Sequence, residues 1–284
     1  MMHEPDMSAI QTIIRRALEE DIGDGDITTL ATIPEDARLT GRFLAKEGGV
    51  IAGLDVAAMT FIELDPQAQM ICNVGDGERV EQGTEIARVI GQGRAILSGE
   101  RVALNLLQRM SGIATQTRQF VEAARGASAV ILDTRKTMPG LRVLDKWAVR
   151  LGGGENHRFG LFDMAMIKDN HIAAVGSITR AVAQVRAQDS RRRPIEVEVK
   201  NLEELAETLP LNVDRILLDN MTPDVMREAA RLTNQRVPLE ASGNVSLENV
   251  AEIAAAGVNY ISIGKLTHSV KALDISLLLE ESRS

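Results

Sequence analysis

The sequence predicts an α/β protein: an irregular or incomplete α/β barrel preceded by an N-terminal α+β sandwich domain. Three observations predict it. In the second half, short apolar runs alternate with helical stretches. Each of those runs carries charged or polar residues at or just past its end. In the first hundred residues, by contrast, strand-like runs follow one another between glycines.

Taken in order, Ser8 is placed to cap a helix running to about Glu20, with Ile10, Ile13, Ile14, Ala17 and Leu18 on one face. The segment IGDGDITT then interrupts it. Strands are predicted at Leu39–Lys46, Met70–Val74, Glu85–Ile90 and Arg94–Leu97, with turns at Gly75, Gly77, Gly83, Gly91 and Gly93. A helix over Leu54–Leu64 interrupts them. The stretch GDGERVEQGTEIARVIG resembles biotinyl and lipoyl carrier domains. Its turn, Gly91 to Arg94, holds no lysine to modify, so carrier chemistry is not supported. Glu100–Ala124 predicts one long helix bridging two domains, with Gly112 a point where it can break. The domains are then 1–108, joined by 270–284, and 109–269.

The second half predicts strands at Val130–Leu132, Met164–Ile167, Ile195–Val199, Arg215–Leu218, Val237–Leu239 and Tyr260–Ile263. Helices fall at Leu141–Leu151, Ser177–Gln188, Pro223–Thr233 and Leu247–Ala256. This alternation implies a parallel sheet with right-handed crossovers. The near-continuous apolar character of the runs predicts burial on both faces. Six runs are too few for a regular eightfold barrel. The strand ends carry Asp133 to Lys136, Lys168 to His171, Glu196 with Glu198, Asp219 with Asn220, Glu240 with Ser242, and Gly264 with Lys265. In a parallel barrel such ends converge on one mouth, where catalytic groups sit.

Composition bounds the function. Of 284 residues, 44% are hydrophobic and the formal net charge is -8. That apolar share excludes a disordered chain, and the acidic balance argues against nucleic acid and anionic membranes as partners. Seven aromatics are too few for a base-stacking module. No apolar stretch approaches the about 20 residues of a membrane span. The acidic N-terminus does not resemble a signal peptide. A cytoplasmic location is the expectation. Cys72 is the sole cysteine, so no intrachain disulfide forms, and it is expected to be a small buried hydrophobe.

Charge is segregated along the chain. Arg94 to His171 carries 12 Lys and Arg against 7 Asp and Glu, a balance of +5; the rest carries 20 bases and 33 acids, a balance of -13. Solvated helix faces account for Arg118, Arg125 and Arg150. Arg135, Lys136, Arg158 and Lys168 lie at strand ends or in a glycine-flanked loop, which points to a pocket for a polyanion. His157 and Arg158 follow Gly152–Gly153–Gly154, which permits close backbone approach. The histidines lack metal-pair spacing, which argues against a histidine-based zinc site. Ser242, Gly243 and Asn244 precede the helix expected at Leu247, a context that suits phosphate.

The motifs identify a resemblance. EDIGDGDITT (Glu20–Thr29), ERVALNLLQRMSGIAT (Glu100–Thr115), and the Asp133–His171 stretch with DTRKTMPGLR, GGGENHRFGL and IKDNH resemble the quinolinate phosphoribosyltransferase family. So do EVEVKNLEEL, LLDN, LEASGNV and ISIGKLTHS, in order over nearly the whole chain. Trp147 stands where tyrosine is usual, and Asn244 where glycine is common. The resemblance implies transfer of phosphoribosyl from phosphoribosyl pyrophosphate to quinolinate with decarboxylation. The products are nicotinate mononucleotide, carbon dioxide and pyrophosphate, and the cofactor is Mg²⁺. It implies that Arg135, Arg158 and Arg101 hold the dicarboxylate, with Thr134, His157 and Lys168 nearby, and that Arg101 enters from the neighbouring subunit of a homodimer or higher oligomer. Lys136 and Lys168 would meet phosphate oxygens. Glu198 and Asp219 would face the ribose and Mg²⁺, making Lys136, Lys168, Glu198 and Asp219 the catalytic set. Ser242, Gly243, Asn244, Gly264 and His268 would hold the 5′-phosphate. The alternatives are a paralogous protein of the same fold acting on another small acid, or a regulator that senses one.

Overall fold

In a computed structural model, which describes residues 5–280, strand pairing sorts the chain into three sheets. The described chain falls into two compact units. One comprises residues up to 118, 137–153 and from 266 onward; the other comprises 119–136 and 154–265. Part of the N-terminal stretch read against a signal peptide, residues 1–4, lies outside the described residues.

The first unit holds β1 (Arg38–Ala45), β2 (Gly49–Val50), β3 (Gln69–Cys72), β4 (Arg79–Val80) and β5 (Glu85–Gln92). Its main sheet is antiparallel. The C-terminal strand Ile275–Leu279 pairs with β1, β1 with β5, and β5 with β3. Alternation along these strands aims Phe43, Ala45, Ala87 and Val89 into a core completed by Phe61, Ile96 and Leu107, and Ile86 joins it at the register shift between Phe43 and Leu44. Phe43 and Phe61 meet edge-to-face with centroids 6.1 Å apart. The first helix, Met7–Ile22, is capped by Asp6, whose carboxylate accepts from the Ser8 and Ala9 amides, so Ser8 is inside the helix and is not its cap. Cys72 is exposed rather than buried, because β3 is an edge strand.

Arg94–Leu97 is helical, not a strand. The long helix spans Gly93–Ala123. Ile96 falls on the stripe that continues through Ala103, Leu107, Met110 and Ala114, all buried, so packing extends the helix to include it. The helix does not break at Gly112. A Cβ there would stand 2.2 Å from the Lys271 carbonyl oxygen, and the glycine serves that close approach of the C-terminal segment.

The second unit is built on β6 (Val130–Leu132), β7 (Ala165–Ile167), β8 (Ile195–Val199), β9 (Arg215–Asp219), β10 (Leu239–Ser242) and β11 (Tyr260–Ser262). These form one parallel sheet in the order β6-β11-β10-β9-β8-β7. Leu132 also bridges Glu155, in parallel, on the side of β6 away from β11. This is an incomplete, barrel-like sheet. Its strands are not apolar on both faces. Register places Glu196, Glu198, Arg215, Leu217, Asp219, Glu240, Ser242, Tyr260 and Ser262 on one shared face. Ile195, Val197, Val199, Ile216, Leu218, Leu239, Ala241 and Ile261 occupy the other. The helix expected from Leu247 is shorter, Val250–Ala254, so Ser242 and Gly243 precede an irregular loop instead of a helix start.

Candidate active site

At the C-terminal ends of the parallel strands, one acid and one base meet. Lys168, just past β7, donates from Nζ to Glu198 Oε2 at 2.5 Å. The Lys168 amide donates to His171 Nδ1 at 2.9 Å, which fastens the turn into the helix Asp169–Val175. On the next strands, Asp219 Oδ1 accepts from the Asn220 side chain at 3.0 Å, and Asn220 Oδ1 accepts from Asn244 at 3.0 Å. Gly243 has φ +97°, and a Cβ there would fall 2.1 Å from Asn220 Oδ1. Only glycine lets these two strand-end loops interlock.

The loop after Gly154 is fixed from beneath by Asp133. This carboxylate is fully buried, and it accepts from the His157 amide at 2.9 Å and from Asn156 Nδ2 at 2.7 Å. Thr134 Oγ1 accepts from the Lys136 amide at 3.1 Å and shapes the turn that carries Arg135. Arg158 Nη1 donates to the Met164 carbonyl at 3.0 Å. Burial, and after it the positive charge of Arg135, hold the Arg158 guanidinium below its usual pKa. Two like charges are thus held within reach of one another, an arrangement that an anion relieves.

Deeper on the same face lie Glu196 and Glu240, both 0% exposed. His157 Nε2 stands 2.9 Å from Glu196 and 3.4 Å from Glu240. Arg215 pairs with Glu240 at 2.8 Å and covers the Tyr260 ring, 4.0 Å from its centroid. Burial pushes the Glu196 carboxyl up, reinforced by the charge of Glu240. Burial opposes a charged His157, yet hydrogen bonding to Glu196 and Glu240 outweighs it and favours a proton on the ring, pushing it up to about 9. The Arg158 amide pulls the other way. It donates to Nδ1 at 2.7 Å, which requires a lone pair there.

Two family models cover the chain: the N-terminal domain of quinolinate phosphoribosyl transferase over residues 26–111 and its C-terminal domain over residues 113–278. The chain belongs to the quinolinate phosphoribosyltransferase family. It is an enzyme of the decarboxylating pentosyltransferase type. It is 48% identical, over 95% of its length and 82% of the relative's, to a quinolinate phosphoribosyltransferase [decarboxylating] 1b of Nicotiana tabacum. It is 46% identical, over 94% of its length and 92% of the relative's, to a probable nicotinate-nucleotide pyrophosphorylase [carboxylating] of Bacillus subtilis. The crystal structure of NadC from Streptococcus pyogenes superposes with a TM-score of 0.93 at 39% identity, covering 98% of this chain and all of that one.

Within this phosphoribosyltransferase, the second unit gathers Thr134, Arg135, Lys136, His157, Arg158, Lys168, Glu198, Asp219, Ser242, Gly243, Asn244 and Gly264. Arg101 and His268 belong to the first unit, and both are exposed; His268 Nδ1 lies 2.6 Å from Ser269 Oγ. Sequence reasoning assigned no role to Asp133, Asn220, Glu196 or Glu240. The signal for Glu196 and Glu240 was present: acids inside otherwise apolar strands are costly unless partnered. Asp133 and Asn220 gave none, since their partners lie in other loops.

Proposed function

We propose that this chain transfers the phosphoribosyl group of phosphoribosyl pyrophosphate to quinolinate with loss of carbon dioxide, giving nicotinate mononucleotide and pyrophosphate in de novo NAD biosynthesis. The observation that carries this reading is the crowding of Arg135 against Arg158, in the unit whose strand ends also hold the Lys168–Glu198 pair and Asp219. Guanidinium forks match carboxylates, and quinolinate brings two. Lys136 and Lys168 serve phosphate oxygens as point charges. Ser242, Gly243, Asn244, Gly264 and His268 serve the 5′-phosphate.

Glu198 and Asp219 offer hard oxygen donors on adjacent strands, a donor set that suits Mg²⁺ with retained water. When bound, Mg²⁺ neutralises charge on the departing pyrophosphate. The ribose C1–oxygen bond breaks as the sugar gains positive character, which the carboxylates of Glu198 and Asp219 stabilise. The pyridine nitrogen forms the new bond to C1. Carbon dioxide then leaves from the adjacent ring carbon, the cationic ring takes up the electron pair, and that carbon gains a proton. The nitrogen carries no proton to remove, so the attack needs no general base.

Further parts of the proposal are a cytoplasmic location and a homodimer in which Arg101 completes the neighbouring site. The exposed free thiol of Cys72 suits a reducing compartment. Among the described residues no helix is long and apolar enough to cross a membrane.

The test is turnover with quinolinate, phosphoribosyl pyrophosphate and Mg²⁺, detected as nicotinate mononucleotide. Product at blank level overturns the reading, and equal use of nicotinate redirects it to a nicotinate enzyme. Mixing inactive Arg101→Ala with inactive Lys136→Ala protein should restore part of the activity. No recovery in proven heterodimers removes the shared site.

A further inference from the structure

The first unit buries an ion pair whose bonds leave its own helices. Arg109, on the long helix Gly93–Ala123, meets Asp145, on the helix Arg142–Leu151. Arg109 Nε donates to Oδ1 at 2.8 Å and Nη2 to Oδ2 at 2.8 Å, a two-pronged match of planar fork and carboxylate. The Asp145 side chain is 0% exposed and that of Arg109 18%. Both groups also reach past each other. Asp145 Oδ2 accepts from the Met138 amide at 3.1 Å, and Arg109 Nη2 donates to the Thr267 carbonyl at 3.4 Å. Met138 opens a turn through Pro139 and Gly140, whose φ is +81°, closed by the Leu141 amide on the Met138 carbonyl at 3.0 Å. Arg142 Nε ties the same loop through Thr137 Oγ1 at 2.9 Å.

We propose that Arg109 and Asp145 are positioning residues for phosphoribosyl pyrophosphate: their pair pins the Met138 amide and the Thr267 carbonyl, and so fixes the backbone segments that carry Lys136 and His268. This rests on the functional reading above, in which Lys136 and His268 serve phosphate oxygens. The pair acts through the backbone and not by contact with substrate.

Cohesion alone does not require these charges. Leu106 and Met110 flank Arg109 along its helix, Leu144 and Ala148 flank Asp145, and all four are buried. An ion pair taken out of water loses about as much hydration as it gains in attraction, and apolar replacements of similar volume are often as stable. What apolar side chains cannot supply is a donor for one backbone carbonyl and an acceptor for one backbone amide, held at fixed angles by a rigid fork. The groups assigned to quinolinate are held by other bonds. Arg158 is tied to the Met164 carbonyl, and Thr134 shapes the turn that carries Arg135. Loss of the pair should therefore be felt first at the phosphates.

The test is steady-state kinetics of the full-length enzyme in two variants. Arg109→Lys keeps a positive charge for Asp145 but loses the planar fork. Arg109→Met combined with Asp145→Leu removes both charges and strands neither. Both variants should melt cooperatively. Both should raise the phosphoribosyl pyrophosphate KM about tenfold, the scale of one charge-assisted hydrogen bond, and leave the quinolinate KM within about threefold. A merely structural pair predicts otherwise for the double variant: with no charge stranded, its phosphoribosyl pyrophosphate KM stays at that of the unaltered enzyme. That outcome overturns the proposal, and so do equal rises in both KM values. If only one variant folds, its kinetics decide; if neither folds, the pair is a pin of the fold and the proposal is overturned. No turnover by the unaltered enzyme strikes the functional reading, whereas normal turnover with an unchanged phosphoribosyl pyrophosphate KM in folded variants strikes only the positioning role.

Discussion

Phe43 on β1 and Glu196 on β8 are both fully buried on one face of a sheet, but their surroundings have opposite chemistry. Phe43 lies among Phe61, Ile86, Ile96 and Leu107, where burial itself stabilises the fold. Glu196 lies among His157, Glu240 and Arg215, where every charge removed from water costs free energy unless a partner answers it. The antiparallel sheet uses its buried face for cohesion. The parallel sheet buries one apolar face for cohesion and uses the other to hold polar groups at fixed positions beneath the strand ends. A protein tolerates such an interior where the groups above it need exact placement, and here those groups are Arg158, Lys168 and Glu198.

Three measurements bear on that contrast. The largest effect should come from Phe61→Ala, which opens a cavity against Phe43. It should lower unfolding free energy by about 3–5 kcal/mol in a denaturant titration. A loss below about 1 kcal/mol would mean that the antiparallel face is not the stabilising one. Next, Lys168→Ala should reduce kcat/KM for quinolinate about 100-fold or more, with a melting temperature close to that of the unaltered protein. A large fall in melting temperature at preserved turnover would reverse the roles given to the two sheets.

The smallest effect concerns Asp76, a half-buried acid in the first unit that accepts from the Gly53 and Leu54 amides at 2.9 and 3.1 Å. Burial pushes its carboxyl up to about 6, above the ordinary value of 3.8. Between those values the folded state keeps a proton that the unfolded chain has lost, so stability falls as pH rises through that window. Asp76→Asn keeps an acceptor oxygen and removes the charge. It should be more stable than the unaltered protein at pH 7, by on the order of 1 kcal/mol, and equal to it near pH 4. Thermal melts at both pH values check this. A variant less stable at pH 7 would show that the helix-capping charge outweighs its burial.

The alternation of Ile195–Val199, Arg215–Leu218 and Tyr260–Ile263 with helices was legible because strand and helix periods are local properties of sequence. The long helix was legible from Val102 to Ala114. Its start at Gly93 was not, because only the packing of Ile96 shows that Arg94–Leu97 continues the same stripe. The basic strand ends were legible as a charge cluster, and the motifs from DTRK to IKDNH named the family.

The amino-acid sequence by itself determined the α/β class, the family and the cluster of bases at the strand ends, since each is written in local pattern or contiguous motif. Tertiary structure alone decided what the acids inside the strands do. Asp133 finds the His157 amide, Glu196 finds the His157 ring, Glu240 finds Arg215, and Gly243 makes room for Asn220. Each of those pairs joins residues on different strands or loops. Strand register and the conformation of the loops, not chain neighbourhood, bring a hydrogen-bond donor within 3 Å of its acceptor.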